Sequence, residues 1–474
     1  MSRLKDKKLH NNLQILDYTY NIRGWLTAIN NPDIAHTNDR LFAMRLYYNE
    51  DLSALNGGTL YNGNISGIKW RAYNNNAGDL YKGYGYQYDG LNRLTKGDYG
   101  TWNGSAWTNT TAYDETIGSY DANGNIGTMQ RNNSSGTNRD NFTYTYNGNQ
   151  LTSITGSLSG NYSYDNNENA TSDRLHGLTI AYNNLNLPKS YTKDANNSSV
   201  YSYDASETKW SKTATIAGAA TTTSYYGGFI YAGGTLTYVL TSEGFVKSNG
   251  EYHYDLKDHL GDTRISFYYS GTTPTVEQED EYYPFGLLFT QNNVNKNPYL
   301  YNGKEIQNEF FENYDYGARF YDPQIGRWHV VDPKAEKYSS WSPYVYCLDN
   351  PLRYIDPNGK DVYSVDKDGN IKLKRRNNKD YDRIKAKGTL FNSIKVDKNV
   401  MAGMKTKTIN TVKDGTVSLT KFHINGAKKG ESFFQFMAKN TNVEWSNVKV
   451  GEGDWNTKLG QVIYKGEITV LRMR

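Results

Sequence analysis

A chain of 474 residues with 43 Tyr, 44 Gly and one Cys is too long for one small domain and too aromatic for a disordered polymer, and it cannot close an internal disulfide. No apolar run approaches the roughly 20 residues of a membrane-spanning helix, and residues 1–12 are hydrophilic, with no signal-peptide core. The net charge of +4 hides a division, because residues 362–474 carry 23 Lys/Arg against 11 Asp/Glu (+12) while the preceding body carries 30 against 38 (−8), the mark of two modules with different partners.

In chain order, Leu13 to Trp25 is the first strand-like segment. From about Tyr73 to Thr215 one phrase recurs: a Tyr, then Asp or Asn, then a Gly/Asn turn, then an apolar residue. The tyrosines are Tyr88, Tyr120, Tyr146, Tyr164, Tyr182 and Tyr203, spaced 32, 26, 18, 18 and 21 residues apart. Each copy reads as a hairpin. In Phe142-Thr143-Tyr144-Thr145-Tyr146 aromatic and polar residues alternate with the period of a half-buried strand. Asn147-Gly148 and Asn123-Gly124 supply turns, and Leu151 and Ile154 open a return strand. A polar Asn/Gly/Ser linker would leave such alternation without purpose. A hairpin exposes an edge and an apolar face, so the copies must stack into a long, spiralling β-sheet. One continuous curved antiparallel sheet is expected from about residue 12 to 360, with few or no helices.

These copies resemble the YD repeats of the Rhs and teneurin class, over roughly Asn12 to Asp361. The resemblance implies a β-cocoon, a hollow shell around enclosed polypeptide. The block that follows resembles the Rhs repeat-associated core in many elements in order. It opens with Tyr254-Asp255-Leu256-Lys257-Asp258-His259-Leu260-Gly261-Asp262-Thr263-Arg264 and Tyr282-Tyr283-Pro284-Phe285-Gly286. Next come Tyr301-Asn302-Gly303-Lys304-Glu305 and the signature around Arg319, Tyr321, Asp322, Pro323, Gly326 and Arg327. It closes with Tyr344-Val345-Tyr346-Cys347-Leu348-Asp349-Asn350-Pro351 and Asp356-Pro357-Asn358-Gly359. Arg319 among aromatics can stack on a ring and reach a carboxylate. Asp-Pro and Asn-Pro pairs at Asp322, Asp332, Asn350 and Asp356 make rigid corners. The fold expected is therefore mainly β: a repeat shell over 1–250, a core block over 251–361 that closes it, and a small α+β domain over 362–474.

Cores of this family can cut themselves after the last Asp-Pro-x-Gly by chemistry like that of an aspartyl protease, where two carboxylates share a proton. The matching residues are Asp332 and Asp356, and the cut would fall near Gly359 or Lys360. Lys360 replaces the usual apolar residue there. Two readings stand: self-cleavage, or two turn-forming corners. His259, beside Asp258, reads as a packed residue rather than a general base.

In the basic domain, residues 362–373 and 408–424 read as hairpins turning at Asp368-Gly369 and Asp414-Gly415. Residues 431–440 read as a helix with Phe433, Phe434 and Met437 on one face, and 442–450 and 460–471 as strands. The stretch from Glu431 to Ser446 resembles the entry to a JAB-like toxin domain, which implies Glu444 as the general base acting on zinc-bound water. That class also needs a His-x-His pair and an Asp for the metal. Here the last histidine is His423, before the helix, and beyond Glu444 only Glu452, Asp454 and Glu467 carry carboxylates. No cofactor and no metal ligand set is read from the sequence, and metallopeptidase activity is disfavoured. Nucleic-acid binding is disfavoured too, since Lys374-Arg375-Arg376 is the only tight basic cluster.

The resemblance implies the encapsulating and delivering part of a polymorphic, contact-dependent bacterial toxin used in interbacterial competition, with an effector-like tail that is truncated or inactive as encoded. Implied partners are a cognate immunity protein and an upstream Rhs shell or delivery machinery. The expected location is secreted or at the cell surface by a route that does not read an N-terminal signal, and cytoplasmic before delivery. The alternative is a cell-surface or carbohydrate-binding scaffold with a vestigial tail.

Overall fold

The computed structural model describes residues 4–33, 39–50, 52–72, 81–292 and 297–356. Beyond them it describes the strands Tyr363–Val365, Ile371–Leu373, Tyr381–Ala386, Ser393–Asp397, Lys405–Thr411, Gly415–Asn425, Ser446–Val450 and Asp454–Lys458. The chain forms two units, residues 1–358 and 359–474.

The described part of the first unit is almost wholly β. A 26-stranded sheet runs from Asp6–Leu9 to Leu288–Asn292. It is an antiparallel meander in which strands pair with their neighbours in sequence. The short strand Trp107–Asn109 covers only part of Leu94–Trp102, which pairs further along with Glu115–Tyr120. The first hairpin also meets much later strands: Tyr269 Oη donates to the Leu13 carbonyl at 2.7 Å, and Lys7 pairs with Glu243.

The repeated Tyr-Asp phrase has three local consequences, the first in every copy and the other two in most of them. The strand register slips at the tyrosine itself, at Tyr88, Tyr120, Tyr146, Tyr164, Tyr182 and Tyr203. Such bulges raise the local twist and re-aim the side chain. The Asp or Asn that follows most of these tyrosines then closes a five-residue turn with its own side chain. Oδ1 of Asp89, Asp121, Asp165, Asn183 and Asp204 each accepts from the backbone N–H groups two and four residues on, at 2.8–3.1 Å. The tyrosine hydroxyl finally donates to the carbonyl just after an earlier turn: Tyr88 to Ile65, Tyr120 to Leu94, Tyr146 to Ile126 and Tyr182 to Ala170. Successive hairpins are thereby stitched together, and the tyrosines sit half-buried between them. Each stitch contributes on the order of 1 kcal/mol.

The sheet does not continue through the core block as expected. It ends at Asn292, and the block builds its own four-stranded sheet from Glu305–Gln307, Asn313–Asp315, Phe320–Asp322 and Arg327–Trp328. The pieces are two or three residues long because a turn interrupts the chain after each, as at Gly317 (φ +88°) and Gly326 (φ +68°). This plug and the repeat sheet share one core. Phe42, Trp70, Tyr84 and Phe142 of the repeats and Tyr314, Tyr321, Trp328 and Tyr346 of the plug belong to a single buried cluster.

The second unit has two described four-stranded sheets. One places Tyr363–Val365 between Ile371–Leu373 (antiparallel) and Tyr381–Ala386 (parallel), with Ser393–Asp397 at the edge. The other pairs Lys405–Thr411 with Gly415–Asn425, followed by Asp454–Lys458 and Ser446–Val450. Both expected hairpins are present as strand pairs. The expected helix at 431–440, Glu444 and the strand at 460–471 lie outside the described residues.

Candidate functional site

The plug centres on stacked rings. Tyr321 lies on Tyr346 with centroids 3.8 Å apart, and Trp328 and Tyr316 meet them edge-on. Such pairs add roughly 0.5–1.5 kcal/mol each beyond the area they bury. Their hydroxyls have designated acceptors. Tyr316 and Tyr346 both reach Asn302 Oδ1, at 2.8 and 2.7 Å, and Tyr321 donates to the Phe285 carbonyl at 2.7 Å. Asn302, at φ +49°, donates in turn from its backbone to Asp262 Oδ1 at 2.6 Å. Burial, and then the charge of Asp258, pushes the Asp262 carboxyl well up.

From this centre the plug reaches the repeat turns one after another. Asn350 Nδ2 donates to the Asn92 carbonyl at 2.8 Å, the Ser342 N–H to Asn123, Arg327 Nη2 to Asn149 at 2.8 Å, and Tyr344 Oη to Glu168 at 2.7 Å. Arg327 also lies over the rings of Tyr146 and Tyr344. Gly326 is held close to the repeat sheet, since a Cβ there would lie 3.1 Å from both Ile126 and Met129. The Pro323 carbonyl accepts from Arg131. Asp322 Oδ1 caps its own turn by accepting from the Gln324 N–H at 2.9 Å. The signature residues Tyr321, Asp322, Pro323, Gly326 and Arg327 thus each bond or pack within the core block or between it and the repeat sheet.

Asp332 and Asp356 converge on one cation. Oδ2 of each accepts from the same atom, Arg319 Nη2, at 2.9 and 2.5 Å. The guanidinium is 3% exposed and rests 4.1 Å from the Trp328 ring centre. Asp332 is held by the turn it starts, its Oδ1 accepting from Lys334 N–H at 2.8 Å. Aspartyl-protease chemistry needs two carboxylates facing each other across one proton, whereas here a cation stands between them. Gly359 and Lys360, the expected cut region, lie outside the described residues.

Cys347 sits in the same corner. Burial, and then the Asp356 carboxylate, pushes its thiol well up, which favours the neutral form. It begins a run of three residues at positive φ, Cys347, Leu348 and Asp349, a conformation that costs each L-residue energy. His259 donates from Nε2 to the Leu352 carbonyl at 3.0 Å, and burial lowers its pKa, so it is a packed, neutral imidazole. Arg131 carries no sequence signal of its importance, because its partners in the plug, Pro323 and Gln324, lie 192 and 193 residues away.

No family model matches the chain. Over 120 residues, 25% of its length, it is 34% identical to salivary gland surface protein 1 of Aedes aegypti. Over 117 residues, 24% of its length, it is 31% identical to toxin subunit YenC1 of Yersinia entomophaga. It spans only 3% and 11% of those two proteins. Among solved structures it resembles TcdB2-TccC3 and TcdB2-TccC3-Cdc42, each at 16% identity with a TM-score of 0.48. In both cases 73% of this chain is covered, against 20% and 19% of the other.

Proposed function

We propose that residues 1–358 are the encapsulating and delivering part of a toxin and that the basic second unit is its cargo. One observation carries this reading: the plug is strapped to consecutive repeat turns through Asn350, Ser342, Arg327 and Tyr344, and the chain leaves it at Asp356, directly before the unit of opposite charge. A block made to close a repeat wall and end beside a separate domain suits enclosure. The similarity to a toxin subunit supports the same reading. In its finer form the protein is a secreted polymorphic toxin of interbacterial competition with a cognate immunity protein, and its tail is JAB-like. Asp332 and Asp356 then serve release near Lys360, and Arg319 must withdraw from between them for that chemistry.

A second reading is a cell-surface scaffold with a vestigial tail, favoured by the similarity to a salivary gland surface protein. Expression of residues 359–474 alone in a bacterium separates the two. Growth arrest that a small acidic protein encoded immediately downstream relieves is the expected result. Unaffected growth with soluble product supports the scaffold.

A further inference from the structure

A second cluster of titratable groups forms where the plug meets the wall. Asp173 ends the repeat strand Ala170–Asp173, Asp322 ends the plug strand Phe320–Asp322, and His329 directly follows Arg327–Trp328. One ligand atom from each lies within 4.8 Å of the others. His329 Nε2 is 3.5 Å from Asp322 Oδ2 and 4.0 Å from Asp173 Oδ2. All three residues are at most 2% exposed.

Two of these inward atoms, Asp322 Oδ2 and His329 Nε2, are buried and make no hydrogen bond among the described residues. Buried polar atoms are nearly always satisfied, so such a pair calls for a partner. The residues are also held from behind. Asp322 Oδ1 accepts from Gln324 N–H, Asp173 Oδ1 accepts from Leu175 N–H at 3.1 Å, and the His329 carbonyl accepts from Ala170 N–H at 2.9 Å. His176 completes the ring. Its Nδ1 is 2.5 Å from Asp173 Oδ2 and 3.9 Å from Asp322 Oδ2, and its Nε2 bonds Gln324 Oε1 at 2.8 Å.

We propose that Asp173, Asp322 and His329 bind a divalent transition-metal ion of the zinc class, with His176 as the neighbouring donor, and that this ion pins the plug to the repeat wall. The donor set argues for that class. Imidazole with carboxylate suits zinc, whereas calcium and magnesium prefer all-oxygen shells. Bonds of about 2.0–2.1 Å in a tetrahedral site place ligand atoms roughly 3.3 Å apart. The observed 3.5 and 4.0 Å, with all three ligand atoms within 4.8 Å of one another, lie above that value, so binding draws the ligands inward. A dication also adds positive charge opposite two buried carboxylates, of which His176 already partners Asp173. On binding, His176 either keeps its hydrogen bond to Asp173 and orients that ligand or exchanges it for the fourth metal bond. The ligands come from both sides of the closure, 149 to 156 residues apart in sequence for the pairs that include Asp173, so the ion cross-links the plug to the wall as a structural zinc does.

The competing arrangement is an ion-pair network in which protonated histidines face the two carboxylates, and it binds no metal. Full-length chain, stripped with a chelator and titrated with Zn²⁺, distinguishes them. The expected result is one zinc per chain that survives gel filtration, and a tetrahedral visible spectrum when Co²⁺ replaces it. His329→Gln should abolish both, His176→Gln should weaken zinc binding at least tenfold, and His423→Gln in the second unit should leave it unchanged. Zinc should raise the thermal midpoint of the wild type but not that of His329→Gln. If His329→Gln does not fold, the His176→Gln affinity decides alone. Absence of stoichiometric zinc, or zinc retained at full affinity by the His176→Gln and His329→Gln chains, or zinc lost with His423→Gln, would overturn the proposal.

Discussion

Arg131 Nη2, in the repeat sheet, donates to the carbonyl oxygen of Pro323, in the plug, at 2.8 Å. The same guanidinium is fully buried, pairs through Nε with Glu115 at 2.5 Å and through Nη1 with Asp140, and donates to the Gln324 carbonyl at 2.6 Å. Burial opposes its charge, but Glu115 and Asp140 outweigh that and raise its pKa. Arg131 is thus a cation enclosed between wall and plug, satisfied from both.

Arg131→Met should destabilise the first unit by about 3–5 kcal/mol, because it strands a buried Glu115. Adding Glu115→Gln should recover part of the loss. Denaturant unfolding of the single and double variants measures both. A single-variant loss below about 1 kcal/mol would show that the pair is not enclosed.

The tyrosine stitches separate hydroxyls that bond from hydroxyls that do not. Tyr120 Oη meets the Leu94 carbonyl, whereas the buried Tyr203 Oη has no hydrogen-bond partner among the described residues. Tyr120→Phe should therefore cost about 1–2 kcal/mol, and Tyr203→Phe should be neutral or stabilising. Equal effects in parallel melts would refute the stitching account.

Buried Asp280 makes stability depend on pH. Burial pushes its carboxyl up to about 8, although Gln278 Nε2 donates to both oxygens. Its unfolded value is near 4, so folding takes up a proton between those values. The stabilising contribution is complete below about pH 4 and disappears as pH rises through 8, with a slope of at most about 1.4 kcal/mol per pH unit. Asp280→Asn should flatten that part of the profile when denaturant midpoints are compared at pH 5 and pH 8.

If the Asp332–Asp356 corner is a protease, purified full-length chain yields a fragment beginning near Lys360, and Asp332→Asn or Asp356→Asn abolishes it. Gel electrophoresis with N-terminal sequencing reads the outcome. A wild-type chain that stays intact leaves both residues as the carboxylate partners of Arg319.

Much of the fold is written locally. Alternation in Phe142 to Tyr146 specifies a strand with one buried face, and Asp121 or Asp165 closes its own turn without help from elsewhere. Both depend on residues no more than about five positions apart, so a reader of the sequence sees them. The core signature was legible as a block, because its aromatic and Asp-Pro elements come in a distinctive order.

Other features depend on chain segments that meet only after the repeat wall has formed. The sequence marked Asp332 and Asp356 as a pair and Arg319 as a cation for some carboxylate, but not that these two are its partners, since Arg319 lies 13 and 37 residues from them. It gave no hint that Asp173, 149 residues before Asp322, shares a buried cluster with it and His329. Turns and strands are set by short-range sterics and hydrogen bonds, which the sequence determines by itself. Which buried charges become neighbours depends on where a wall assembled from 26 strands places its plug, and only the tertiary structure decides that.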